Sequence, residues 1–182
     1  HRLLAAPVEG LLLLDIETCG LNGQPVFLVG LGWLEPPDLR LEFLLARHPG
    51  EEAAMLAATA ERLAAASALV TFNGTTFDLP YLQARGRHQR LPQLPAPPHH
   101  DLLLAARRHA GRRFGDCRLQ TLERELTRRP RPLADLPSAQ VPEVYRRWLL
   151  DGRPEGLHQV VIHCAHDLIT MVGLVPALAE LR

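Results

Sequence analysis

The sequence predicts an α/β fold with a mixed central sheet of about five strands and helices on both faces. Three observations predict it. The run LLLLDIET, residues 11–18, is continuously apolar before its acids, as befits a central strand covered on both sides. Two further strand candidates follow at short range. A fourth, ALVTFNG (68–74), comes only after a helical stretch and is therefore parallel to the first.

Taken in order, CGLNGQP (19–25) has the Gly, Asn and Pro chemistry of a tight connection after the first strand. VFLVGLGWL (26–34) and LRLEFLLAR (39–47), joined by EPPD, complete an antiparallel meander. GEEAAMLAATAERLAAAS (50–67) is rich in Ala and Leu with acids in its first turn, which predicts a helix. From residue 77 onward the pattern is mostly helical, interrupted by the prolines of LPQLPAPPHH (91–100), with a short strand around 100–103. Helices are expected over CRLQTLEREL (117–126), SAQVPEVYRRWLLDG (138–152) and a last segment that starts near Pro154 and runs through HQVVIHCAHDLITMVGL.

With 182 residues, one domain spanning 1–182 is expected, its core covering about 11–178. The formal net charge is zero, so no global field advertises a nucleic acid or a membrane. All 20 basic residues are arginine, a bias of coding composition more than a design for phosphate. They crowd the stretch from Arg85 to Arg131. Cys19, Cys117 and Cys164 are odd in number and show no CxxC, which excludes a disulfide framework and a thiolate zinc site and points to a reducing, cytoplasmic setting. No apolar run reaches the roughly 20 residues of a membrane span. The chain begins at His1, so it is read as a piece of something longer, with room for further domains.

Three clusters carry chemistry. In a strand, Asp15 and Glu17 share a face while Ile16 points into the core behind them. Two carboxylates about 4 Å apart repel by roughly 4 kcal/mol at an effective dielectric near 20, a cost relieved by a cation between them. Oxygen ligands alone select Mg²⁺ or Mn²⁺ over zinc. Two solvated strand-end acids are the alternative. VTFNGTTFDLPYL (70–82) brings a third carboxylate, Asp78, to the exit of a neighbouring strand; a helix-start acid is the alternative there. In VIHCAHDLITM, His163 and Asp167 are four apart and share a helix face, with His166 turned away from it. Asp167 lies among apolar neighbours, where an unpaired charge is costly. The alternatives are a solvated surface pair, or a zinc site of His158, His163 and His166.

The order DIET, NGTTFDLPYL, HCAHDL resembles the three motifs of the DEDD (DnaQ-like) 3′–5′ exonuclease superfamily on a ribonuclease H-like fold. With VFLVGLGW, HHDLLLAARR, CRLQTLEREL and DLPSAQVPEVY added, the chain is similar to the YprB-type ribonuclease H-like domain from about residue 11 to 178. The resemblance implies that Asp15, Glu17, Asp78 and Asp167 hold two divalent ions, Mg²⁺ or Mn²⁺, and that His163 acts on the attacking water. It implies hydrolysis of phosphodiester bonds in single-stranded DNA or RNA from a 3′ end, leaving 5′ phosphates. His163 stands four residues before Asp167, unlike the tyrosine four before or histidine five before of the main classes, and similar to the H-N-x-x-D form of YprB-like domains.

Smaller roles attach to substrate contact: Asn73 on a phosphate or on the backbone near Asp78, Phe77 and Tyr81 on a base, and Asp101, which matches a family position, near the ions or as a strand-end acid supporting them. Core packing or turn chemistry is the alternative for each. His99 and His100 are read as surface residues. The arginines of 107–131 offer a salt-sensitive backbone grip, or simply a solvated face. Against an enzyme stands a catalytically silent nucleic-acid-binding or interaction module of a longer protein.

Overall fold

Four leucines and Ile16 make β1 (Leu11–Thr18), the strand on which the rest is assembled. The computed structural model describes residues 10–109, 111–127, 129, 131 and 135–181, without the side chains of 109, 111 and 112. Arg128 of the basic stretch and the side chain of Arg112 therefore lie outside the described residues. β2 (Val26–Glu35) and β3 (Asp38–Leu45) complete the meander, α1 (Glu52–Ala65) crosses over, and β4 (Ala68–Thr71) and β5 (His99–Asp101) finish the sheet in the order β3-β2-β1-β4-β5. β1 is antiparallel to β2 and parallel to β4, and β4 is parallel to β5. The expected mixed sheet of five strands with β1 at its centre is what forms.

The two faces separate by the parity of β1. Leu12, Leu14 and Ile16 pack with Leu56 and Leu63 of α1 and Leu82 of α2 (Asp78–His88). Leu11 and Leu13 face the other way. There they meet Leu102 and Ala106 of α3 (Leu102–His109), Leu122 of α5 (Leu119–Leu122), Tyr145 of α6 (Val141–Asp151) and Val160, Cys164 and Leu168 of α7 (Glu155–Glu180). Between α3 and α5 lies the one-turn α4 (Gly111–Phe114).

Several boundaries move. The first helix begins after a single 3₁₀ turn (Pro49–Glu51), where proline fixes the entry. The fourth strand stops at Thr71 because Asn73 turns the chain with φ 71°, a left-handed conformation that asparagine tolerates. The short strand sits at His99–Asp101, slightly earlier than expected. His99 is half-buried instead of lying on the surface, its Nε2 2.8 Å from Thr71 Oγ1. The last helix forms as expected, and α7 is also long and apolar enough to cross a membrane, which a count of uninterrupted apolar runs does not register. Its Leu157, Val160, Leu168, Met171, Leu174 and Leu178 are buried in the core, whereas Ile162 is exposed.

α7 reaches the sheet at a glycine. Gly30 of β2 pairs with Asp15, and a Cβ there would stand 2.3 Å from Cys164 Sγ and 3.1 Å from Leu168 Cδ1. The helix thus rests directly on backbone beside Asp15.

Candidate active site

Parity puts Asp15 and Glu17 on the face of Leu11 and Leu13, toward α7. The ladder between β1 and β4 stops at Leu13 and Val70, so both acids lie beyond it at the carboxyl end of β1. In open α/β sheets this is where ligand crevices form. A cleft of about 500 Å³ opens there, lined by Asp15, Glu17, Thr18, Gly20, Leu21, Phe77, Ser138, Ala139, Val141, Pro142, His163 and Asp167, among others.

Asp78 arrives from β4 through a braced loop. The Asp101 carboxylate accepts hydrogen bonds from the backbone N–H groups of Asn73 (2.9 Å), Thr75 (3.0 Å) and Leu103 (3.0 Å). Gly74 is pressed so closely on Thr71 that a Cβ would fall 2.2 Å from its Oγ1. Asp78, the first residue of α2, is buried, and its carboxyl accepts the backbone N–H of Ile16. That bond ties it to β1 between the two strand acids.

Asp167 and His163 stand one turn apart on α7, Oδ2 and Nε2 3.7 Å from each other. The four acids interact. Burial first, then repulsion from Asp167, Glu17 and Asp78, pushes the Asp15 carboxyl well above its ordinary range, against a bond from the Cys164 thiol. Burial, then Asp167, Asp78 and Asp135, takes Glu17 to about 8. Burial also takes Asp78 to about 7, with Asp101 and Asp167 adding to it. Asp167 is raised by burial too, while Arg131 and His163 pull it back.

A second network meets the first at Asp167. Arg131, its side chain only 9% exposed, donates from Nη2 to Asp167 Oδ1 (2.6 Å), from Nη1 to Asp135 Oδ2 (2.9 Å) and from Nε to Glu123 Oε2 (2.9 Å). Glu123 Oε1 accepts from Thr170 (2.6 Å). Asp135 Oδ1 lies 3.1 Å from His163 Nδ1, and Ser138 Oγ lies 3.2 Å from His163 Nε2. Burial of Asp135 is outweighed by its bonds to Arg131 and His163, which hold its carboxyl below the usual range.

The structure therefore brings Asp15, Glu17, Asp78, His163 and Asp167 together. Phe77 lines the same cleft. Asn73 does not: its carbonyls accept from the Thr76 hydroxyl and from backbone N–H groups of its own turn. The Tyr81 hydroxyl donates to the carbonyls of Gly20 (2.9 Å) and Gln24 (2.8 Å), bracing the loop after β1. Asp101 supports the loop that delivers Asp78. His158 is exposed whereas His163 is buried, so the three-histidine zinc alternative is not formed. His166, expected to point elsewhere, has its Nδ1 3.8 Å from Asp135 Oδ1.

Sequence reasoning missed Arg131, Asp135, Ser138 and Glu123. Arg131 had been grouped with the solvated or phosphate-gripping arginines; it is inside. Arg107, Arg108, Arg113, Arg118, Arg124 and Arg129 are exposed. The signal for Arg131 was the unpaired charge foreseen at Asp167, which needed a cation from somewhere in the chain.

The donor set fits a hard divalent cation. Asp15 Oδ2 is shut away from solvent without a hydrogen-bond partner, beside three further carboxyl groups and no thiolate ligand pattern. Among the described residues no group of three His, Cys, Asp or Glu side chains is yet drawn to ligand distance of one point.

Comparison with known proteins agrees with the geometry. The family model of the RNase_H superfamily matches residues 12–179. The YprB protein of Bacillus subtilis (strain 168) is 32% identical over 173 residues, which are 91% of this chain and 41% of that protein. The family B DNA polymerase of the hyperthermophilic archaeon Pyrobaculum calidifontis superposes with a TM-score of 0.75 at 16% identity, over 93% of this chain and 24% of the polymerase. The chain thus spans less than half the length of either protein. The polymerase likeness shows the fold.

Proposed function

This chain belongs to the RNase_H superfamily, and from that premise we propose that it is a divalent-metal-dependent nuclease, a DEDD-type 3′–5′ exonuclease acting on single-stranded DNA or RNA. The observation that carries the reading is the orphaned Oδ2 of Asp15 inside a pocket of four mutually repelling acids. Asp15, Glu17, Asp78 and Asp167 would hold Mg²⁺ or Mn²⁺, two ions by family resemblance. Bound there, the ions would supply Lewis acidity toward an attacking water and neutralise charge on the leaving oxygen. His163 Nε2 takes one proton of that water as its oxygen bonds phosphorus and the bond from phosphorus to the 3′ oxygen of the penultimate nucleotide breaks. The leaving 3′ oxygen is protonated from solvent, and the released nucleotide keeps its 5′ phosphate. Phe77 and Leu21 offer apolar surface to a base at the cleft.

A second reading, a catalytically silent nucleic-acid-binding module, is favoured by one observation: Arg131 already neutralises Asp167. Calorimetric Mn²⁺ titration followed by cleavage assays on labelled DNA and RNA strands separates the two. The nuclease reading expects saturable Mn²⁺ binding and stepwise shortening from the 3′ end. Absence of both Mn²⁺ binding and cleavage at high protein concentration would favour the silent module. Since the chain covers 41% of YprB, further domains in a longer protein belong to the same proposal.

A further inference from the structure

Resting on the nuclease reading, we propose that Asp135 is a positioning residue that fixes the tautomer of His163, with Arg131 determining how Asp135 can do so. The segment preceding α6 touches both ring nitrogens. Asp135 Oδ1 is 3.1 Å from Nδ1, and Ser138 Oγ is 3.2 Å from Nε2. The side chains of His163 and Asp135 are only 2% and 9% exposed, so water does not substitute for either partner.

An ionised carboxylate only accepts hydrogen bonds. Nδ1 must therefore carry the proton, and in the neutral ring Nε2 is left with its lone pair. That lone pair faces Ser138 and Asp167, both on the cleft. The opposite tautomer would set two lone pairs against each other 3.1 Å apart in a dry pocket. His166 is no competitor for the bond, since its Nδ1 is 3.8 Å from Asp135 Oδ1, beyond hydrogen-bond reach.

Arg131 makes the arrangement testable. Its Nη1 donates to Asp135 Oδ2 at 2.9 Å, and guanidinium can only donate. In Asp135→Asn the single carboxamide oxygen must therefore turn to Arg131. The amide NH₂ then faces His163 Nδ1, forcing Nδ1 to accept and moving the ring proton to Nε2. A substitution of nearly identical shape would invert the base.

The experiment uses the full chain labelled with ¹⁵N-histidine, free of metal, at a pH where the ring is neutral, with His163→Gln to assign the resonances. The expected wild-type spectrum shows Nδ1 protonated and Nε2 bare. Asp135→Asn should show the reverse, with kcat lowered about 10²- to 10⁴-fold and KM and Mn²⁺ affinity nearly unchanged. A wild-type ring protonated at Nε2 overturns the proposal whether or not the variant folds. So does a variant in which the tautomer stays put, or one in which it inverts while kcat holds. A wild-type chain that cleaves no strand sinks the nuclease reading instead, and the spectra still decide what Asp135 does to His163.

Discussion

Glu123, Asp135 and Asp167 each accept a hydrogen bond from one guanidinium, that of Arg131, whereas Asp15, Glu17 and Asp78 at the end of β1 have no such partner among the described residues. Asp167 belongs to both groups. With that cation beside it Asp135 stays below its ordinary range, and Arg131 pulls Asp167 back without overcoming its burial. Without such a partner, burial and repulsion drive Asp15, Glu17 and Asp78 upward. The contrast teaches which charge is structural and which is held in readiness: the first set stabilises a loop against a helix, and the second is tolerable only when protonated or bound to an ion.

Removing a β1 acid should have the largest effect. Asp15→Asn is expected to abolish cleavage, by about 10³-fold or more, which is roughly 4 kcal/mol of transition-state stabilisation. The variant should stay folded and, without metal at pH 8, melt above the wild type, because one source of repulsion is gone. Equal activity in both proteins would place the chemistry elsewhere.

Arg131→Met tests the other side of the contrast. It leaves three carboxylates without their cation and should cost about 3–5 kcal/mol in urea unfolding at pH 8. Mn²⁺ should recover part of that loss, since Asp167 is released. A variant as stable as the wild type would mean that the ion pairs contribute nothing. Gly30→Ala attacks the joint between the two groups, forcing Cys164 and α7 away from Asp15. Overpacking of this kind costs about 1–3 kcal/mol, and here activity should fall with it.

Acidity distinguishes the groups more gently. Glu17 and Asp78 have folded values of about 8 and about 7, above those of an unfolded chain. Between pH 5 and 8 the folded state therefore holds more protons than the unfolded one, and metal-free stability falls as pH rises through that window. A lower melting temperature at pH 8 than at pH 5 is expected, the difference suppressed by Mg²⁺ or Mn²⁺ and reduced in Asp15→Asn. A metal-free protein that grows more stable from pH 5 to 8 would contradict the raised carboxyls. The smallest effect is that of Tyr81→Phe, which removes the hydroxyl bracing Gly20 and Gln24 and should cost about 1 kcal/mol with little change in Mn²⁺ affinity.

Asp15 and Glu17 were legible because strand alternation is strict: once residues 11–18 form a buried strand, both acids share a face. His163 and Asp167 were legible because four residues make about one helical turn. Asn73 and Tyr81 were not, since a turn amide and a phenol can serve substrate or backbone equally well until the neighbouring carbonyls are in place. The hub was least legible of all. Arg131 stands 36 residues from Asp167, in a segment without helical or strand periodicity, and nothing local separates it from the exposed arginines around it.

What the sequence determined by itself was the periodic part: the central strand, the helix that faces it and the four acids these carry, because repeats of 2.0 and 3.6 residues assign side chains to faces without knowledge of the partner. What only the tertiary structure decided was compensation, namely that Arg131 neutralises Asp167 while Asp15 is left with an orphaned oxygen, and that Asp135 reaches His163. Pairing of charges depends on distance through space, and residues as far apart in the chain as Arg131 and Asp167 reveal themselves as neighbours only once the chain has folded.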